Sequence, residues 1–126
     1  MKEEQEILFP MFKCSIVIVY TDEFNNEEIG VHKYVHACTV FKEGEPSEII
    51  LNTSGGVAMV HIVHELLHCL RDLFKDYLGF SSIGDAEDEV LPYAVEYAMT
   101  KIYNYCCENK IELVYRECDK PLDGTR

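Results

Sequence analysis

Residues 64 to 68 read His-Glu-Leu-Leu-His. On an α-helix, positions four apart lie about 40° apart around the axis, so His64 and His68 share one face. Both imidazoles can then reach one ion. Glu65 lies beside that stripe, where it can touch a water near the ion rather than the ion itself. This is the H-E-x-x-H pattern of metal-assisted hydrolysis. Zinc lowers the pKa of a bound water to about 7. A carboxylate such as Glu65 can take the proton and later hand it to a leaving amine. His64 and His68 are therefore candidate Zn2+ ligands, and Glu65 is the candidate catalytic base. The competing reading is two partly buried histidines and a surface glutamate. The flanking Ile62, Val63, Leu66, Leu67 and Leu70 would bury the rest of such a helix in either case.

Catalytic zinc sites normally take three protein ligands and a water. No histidine follows His68, so the third ligand must be a carboxylate, a cysteine or an upstream histidine. His61 lies three residues before His64 on the same stripe; it reads more readily as a satisfied helix histidine than as a further ligand. His32 and His36 fall on an expected strand, where four residues span about 13 Å, too far to share one ion. Cys69 points about 100° away from His68 and reads as core. Asp72, Asp85 and Asp88 are candidates to orient a ligand histidine through its second N–H. No site suggests itself for the adjacent Cys106 and Cys107.

These groups must be positioned by their neighbours. Cys14 to Tyr20 is apolar and β-branched, which predicts a buried strand. Val31 to Phe41 predicts a second strand and Glu48 to Leu51 a short third. Asn-Thr-Ser-Gly-Gly at 52 to 56 breaks the pattern and offers helix caps. A largely apolar helix is expected from Val57 to about Leu78, stopped by Gly79. A second helix is expected from near Asp85–Asp88 to about Cys107, with Pro92 in its first turn, where a missing N–H costs least. Ile111 to Glu117 reads as a late strand.

With those elements in place, the chain resembles the gluzincins. In that family, a glutamate on a second helix follows H-E-x-x-H by about twenty residues. Here Glu89 follows His68 by 21 residues. The chain is more closely similar to the compact H-E-x-x-H proteins encoded by phages and prophages, in which that glutamate is often paired with a tyrosine four residues on. Here the pair is Glu89 and Tyr93. The resemblance covers roughly Ile49 to Tyr103. It implies a minimal zincin-like domain, Glu89 as third metal ligand, and the strand before the first helix lying along a substrate cleft. Larger gluzincins often read N-E-x-x-x-D in the second motif, whereas Asp88 and Tyr93 stand at those two positions here. Tyr93 or Tyr97 would be placed to stabilise an oxyanion; packing is the competing role for both. Glu96 lies two turns beyond Glu89. An acidic helix start is also ordinary dipole chemistry.

The 126 residues fit one domain able to bury a core unaided. Apolar content is 48% and charged content 27%, an ordinary globular balance. A formal charge of −12, from 23 acidic and 11 basic residues, disfavours nucleic acid and anionic membranes as partners. The N-terminal MKEEQEILF lacks the pattern of an export signal, so a cytoplasmic protein with reduced thiols is expected. The expected fold is α+β: a small antiparallel sheet of about three strands packed on two main helices. Residues 1–12 and 119–126 would be flexible ends. The expected function is a zinc-dependent hydrolase, a small metallopeptidase whose peptide or protein substrate adds as a strand near Ile49 to Leu51. The alternative is a catalytically silent, zinc-stabilised protein-binding module, phage-encoded and targeting a host protein.

Overall fold

The computed structural model describes residues 2–10, 13–23, 37–76 and 90–115. Four strands form one sheet: β1 (Lys2–Phe9), β2 (Cys14–Thr21), β3 (Ala37–Val40) and β4 (Glu48–Asn52), in the order β1-β2-β4-β3. A two-residue strand β5 (Val57–Ala58) leads into helix α1 (Met59–Asp76). Helix α2 (Val90–Glu108) and the short strand β6 (Leu113–Val114) follow. The architecture is α+β, with both helices packed on the sheet.

The sheet is mixed rather than antiparallel. β1–β2 and β3–β4 are antiparallel, but β2 and β4 run parallel, with Ile18 opposite Ile49 and Tyr20 opposite Leu51. The expected strand over 31–41 is described only from Ala37 onward; His32 and His36 lie outside the described residues. Within the end expected to be flexible, residues 2–9 form the paired strand β1, while 119–126 lie outside the described residues. Gln5, Ile7 and Phe9 pair with Ile18, Ile16 and Cys14 and put their side chains on the same face as these partners. Glu3, Glu4 and Glu6 obscure this alternation in the sequence. They suit an edge strand, where charge discourages pairing with another chain.

Ile7, Phe9, Ile16, Ile18, Tyr20, Ile49 and Leu51 point from the sheet into the core. From α1 they meet Ile62, Leu66, Cys69, Leu70 and Leu73, spaced so that one helical stripe is buried. From α2 they meet Ala94, Ala98, Ile102 and Cys106, one per turn. Tyr20 stacks on Tyr105 with ring centroids 4.7 Å apart, and its hydroxyl donates to Gln5 Oε1 at 2.7 Å. Pro92 falls in the first turn of the described α2, where no intrahelical N–H is lost. No helix among the described residues is long and apolar enough to cross a membrane.

The start of α1 is fixed from two sides. The turn from β4 places Gly55 and Gly56 at φ of 76° and 94°, backbone that favours glycine. Ser54 N–H donates to Asn52 Oδ1 at 3.0 Å, closing that turn. β6 returns beside β5 in parallel, and Val57 N–H donates to the Glu112 carbonyl at 2.9 Å. Val60 N–H donates to the Tyr115 carbonyl at 3.2 Å, which satisfies one of the orphan donors of the first helical turn.

Candidate metal centre

Burial of Ile62, Leu66, Cys69 and Leu70 rotates the opposite face of α1 outward, and His64 and His68 lie on that outer face. The His64 side chain is 67% exposed. Exposed imidazoles have many rotamers open to them, yet these two converge. His64 Nε2 and His68 Nε2 are 3.2 Å apart, and the rings meet edge to face at 4.8 Å between centroids. Two nitrogens bound to one tetrahedral zinc at 2.0–2.1 Å would be about 3.3 Å apart. The spacing therefore fits a shared ion. Without metal, the same contact is a hydrogen bond between one ring protonated at Nε2 and one deprotonated there.

Glu65 is placed differently. Its side chain is only 13% exposed, tucked between α1 and β3. Thr39 Oγ1 donates to Glu65 Oε1 at 2.7 Å. Glu65 Oε2 lies 3.8 Å from His64 Nε2, too long for a direct hydrogen bond but within reach of a bridging water. The wall around the carboxylate is low in polarity. Burial, and secondarily the charge of Glu65, pushes the Cys38 thiol up to about 11. Burial also pushes the Cys69 thiol up to about 12, helped by Asp72 and Glu65 and opposed by the Thr39 hydroxyl. Both thiols stay protonated at neutral pH, so Cys69 is a core residue, as its position on the helix implies.

The other candidates divide clearly. His61 is half-buried on α1. Asp72 Oδ2 lies 3.4 Å from Ser47 Oγ, one helical turn beyond His68. Glu89, Asp85 and Asp88 lie outside the described residues. Among the described residues, no group of three His, Cys, Asp or Glu side chains could hold a metal. Tyr93 is in the first turn of α2 and 55% exposed, with no described hydrogen bond to His64, Glu65 or His68. Tyr97 packs instead: its ring lies 5.7 Å from Phe9, with Lys101 Nζ 5.4 Å from its centroid.

The position expected for the substrate needs correction. Ile49 to Leu51 is in β4, paired with β2 on one side and β3 on the other, so it has no free edge for a peptide. Among the described strands, the terminal one on the α1 side is β3. A pocket of about 300 Å³ opens beside the end of β3, lined by Phe41, Glu43, Ser47 and Asp72 among others. Thr39 was not singled out from the sequence. Its only signal there is a hydroxyl within the otherwise apolar Ala-Cys-Thr-Val. Compared with family models, curated proteins and solved structures, the chain matches none.

Proposed function

We propose that this protein is a zinc-dependent hydrolase, a small metallopeptidase, with His64 and His68 as metal ligands and Glu65 as general base. The observation that carries this reading is the 3.2 Å convergence of the two Nε2 atoms beside the sheltered Glu65 carboxylate. Glu89 is proposed as the third ligand, on the three-ligand rule and on its spacing from His68.

The chemistry that zinc supplies in such a site is to acidify water and to polarise a carbonyl. The rest falls to the chain. An extended peptide would add along the outer side of β3, the terminal strand among the described residues, hydrogen bonding through its main chain, with the pocket beside Phe41 taking a side chain. Glu65 Oε2 takes a proton from the attacking water as its oxygen bonds to the scissile carbonyl carbon. When the C–N bond breaks, the same oxygen returns that proton to the departing amine nitrogen. A second assignment, an oxyanion-stabilising role for Tyr93, stays with the proposal.

The test is metal content by plasma mass spectrometry on tag-free protein, followed by a quenched fluorescent peptide pool. Wild type should carry about one zinc per chain, the count a single site implies, and cleave the pool. His68→Ala should lose the metal. Glu65→Gln should keep it and lose turnover. Wild type without metal after zinc is supplied would overturn the proposal. Metal with no cleavage of any peptide would favour the silent, zinc-stabilised binding module.

A further inference from the structure

Among the described residues, Thr39 and His64 are the side chains within 4 Å of the Glu65 carboxylate as hydrogen-bond or ion-pair neighbours, and the Thr39 contact is the firm one. Thr39 Oγ1 stands 2.7 Å from Oε1 and 3.2 Å from the Glu65 carbonyl oxygen. A hydroxyl carries one proton. The closer and charged oxygen takes it, because charge-assisted hydrogen bonds are shorter and stronger. His64, the other partner, is at 3.8 Å and exposed.

The strand explains where Thr39 points but not why it is threonine. Thr39 lies opposite Ile49 in register and so shares the face that turns toward α1. β-branching suits a strand, and valine would serve that need equally well. Only the hydroxyl makes the contact to Glu65. A glutamate has three side-chain torsions, and holding one oxygen removes most of their freedom. With Oε1 held by β3, Oε2 is left facing the histidine pair.

The geometry points to Thr39 as the positioning residue of Glu65, an inference that rests on the hydrolase reading above. Its hydroxyl anchors one carboxylate oxygen to the edge strand so that the other is presented to the attacking water. The strand that would receive the peptide thereby also sets the orientation of the base.

Two readouts test this. The first needs neither metal nor substrate: a double-mutant cycle of Thr39→Val and Glu65→Ala, followed by urea unfolding of the metal-free protein. A hydrogen bond to a charged group should appear as a coupling of roughly tenfold or more in the unfolding equilibrium constant. Coupling below about twofold would overturn the contact. The second uses the zinc-loaded protein and a peptide that wild type cleaves from the pool. Thr39→Val keeps the shape and removes the hydroxyl; kcat should fall about tenfold, with KM within about twofold and zinc content unchanged. Thr39→Ser, which keeps the hydroxyl, should recover most of the lost rate. A hydroxyl that merely stabilised the fold would move the unfolding midpoint and leave kcat alone. Wild-type kcat in Thr39→Val, or no recovery in Thr39→Ser, overturns the role of Thr39 while the hydrolase reading stands. A wild type that binds no zinc and cleaves nothing overturns both.

Discussion

At the scale of single residues, the two histidines and the glutamate occupy different environments although they are neighbours on one helix. His64 and His68 are solvent-facing and convergent, while Glu65 is withdrawn under β3. A metal held by two imidazoles alone would be weakly bound, because catalytic zinc sites take three protein ligands. Glu89→Ala should therefore weaken zinc binding at least tenfold, an effect of the size expected when a ligand shell is disrupted. Glu96→Ala, on an exposed turn of α2, should leave affinity within about twofold of wild type. Competition titration with a chromogenic chelator reads both. Unchanged affinity in Glu89→Ala would move the third ligand elsewhere.

At the scale of elements, the ends of the helices carry testable chemistry. α2 stops in a Schellman arrangement: Ile111 N–H donates to the Cys106 carbonyl at 2.9 Å and Lys110 N–H to the Cys107 carbonyl at 3.4 Å. The turning residue is Lys110, at φ 56°, where a side chain is strained. Left-handed backbone costs a non-glycine residue about 1–2 kcal/mol, partly offset by the greater unfolded-state entropy of glycine. Lys110→Gly should therefore stabilise the protein by about 0.5–1 kcal/mol, read from urea unfolding at constant m-value. A lower midpoint would show that Lys110 makes a compensating contact. The effect should not reach the histidine pair, which is held by the other helix.

At the scale of the whole molecule, the core sets the response to alkaline pH. Burial raises the Cys38 and Cys106 thiols to about 11 and Cys69 to about 12, against 9.0 for an ordinary thiol. Burial likewise raises the Tyr20 phenol. The charged form of each of these groups is the deprotonated one. As pH rises past 9, the unfolded chain releases protons that the folded chain keeps, so it binds fewer protons and stability falls. Stability should hold up to about pH 8 and decline progressively from about 9 to 12. Urea midpoints measured across pH 7 to 11 under reducing conditions check this. A flat profile would mean that the thiols are hydrated in the fold. The described cysteines are free, so no bridge interferes.

What residue types and spacing determined by themselves was local. The shared face of His64 and His68, the buried stripe from Ile62 to Leu73, and the place of Pro92 follow from the period of the helix, which needs no partner. The α+β class follows because apolar strands and amphipathic helices must bury each other. The boundary of α1 moved inward, from Val57 to Met59, because Val57 and Ala58 are taken by pairing with residues 113 and 114, far along the chain. The sheet's order, its parallel β2–β4 pair and the use of Lys2–Phe9 as a strand are likewise set by hydrogen bonds between distant segments. So is the contact that most distinguishes the site: Thr39 and Glu65 are 26 residues apart, and no periodicity links them. Tertiary structure alone decided which strand is terminal among the described ones and which hydroxyl meets Glu65. Strand pairing is a competition among non-local partners, and its outcome depends on the whole chain.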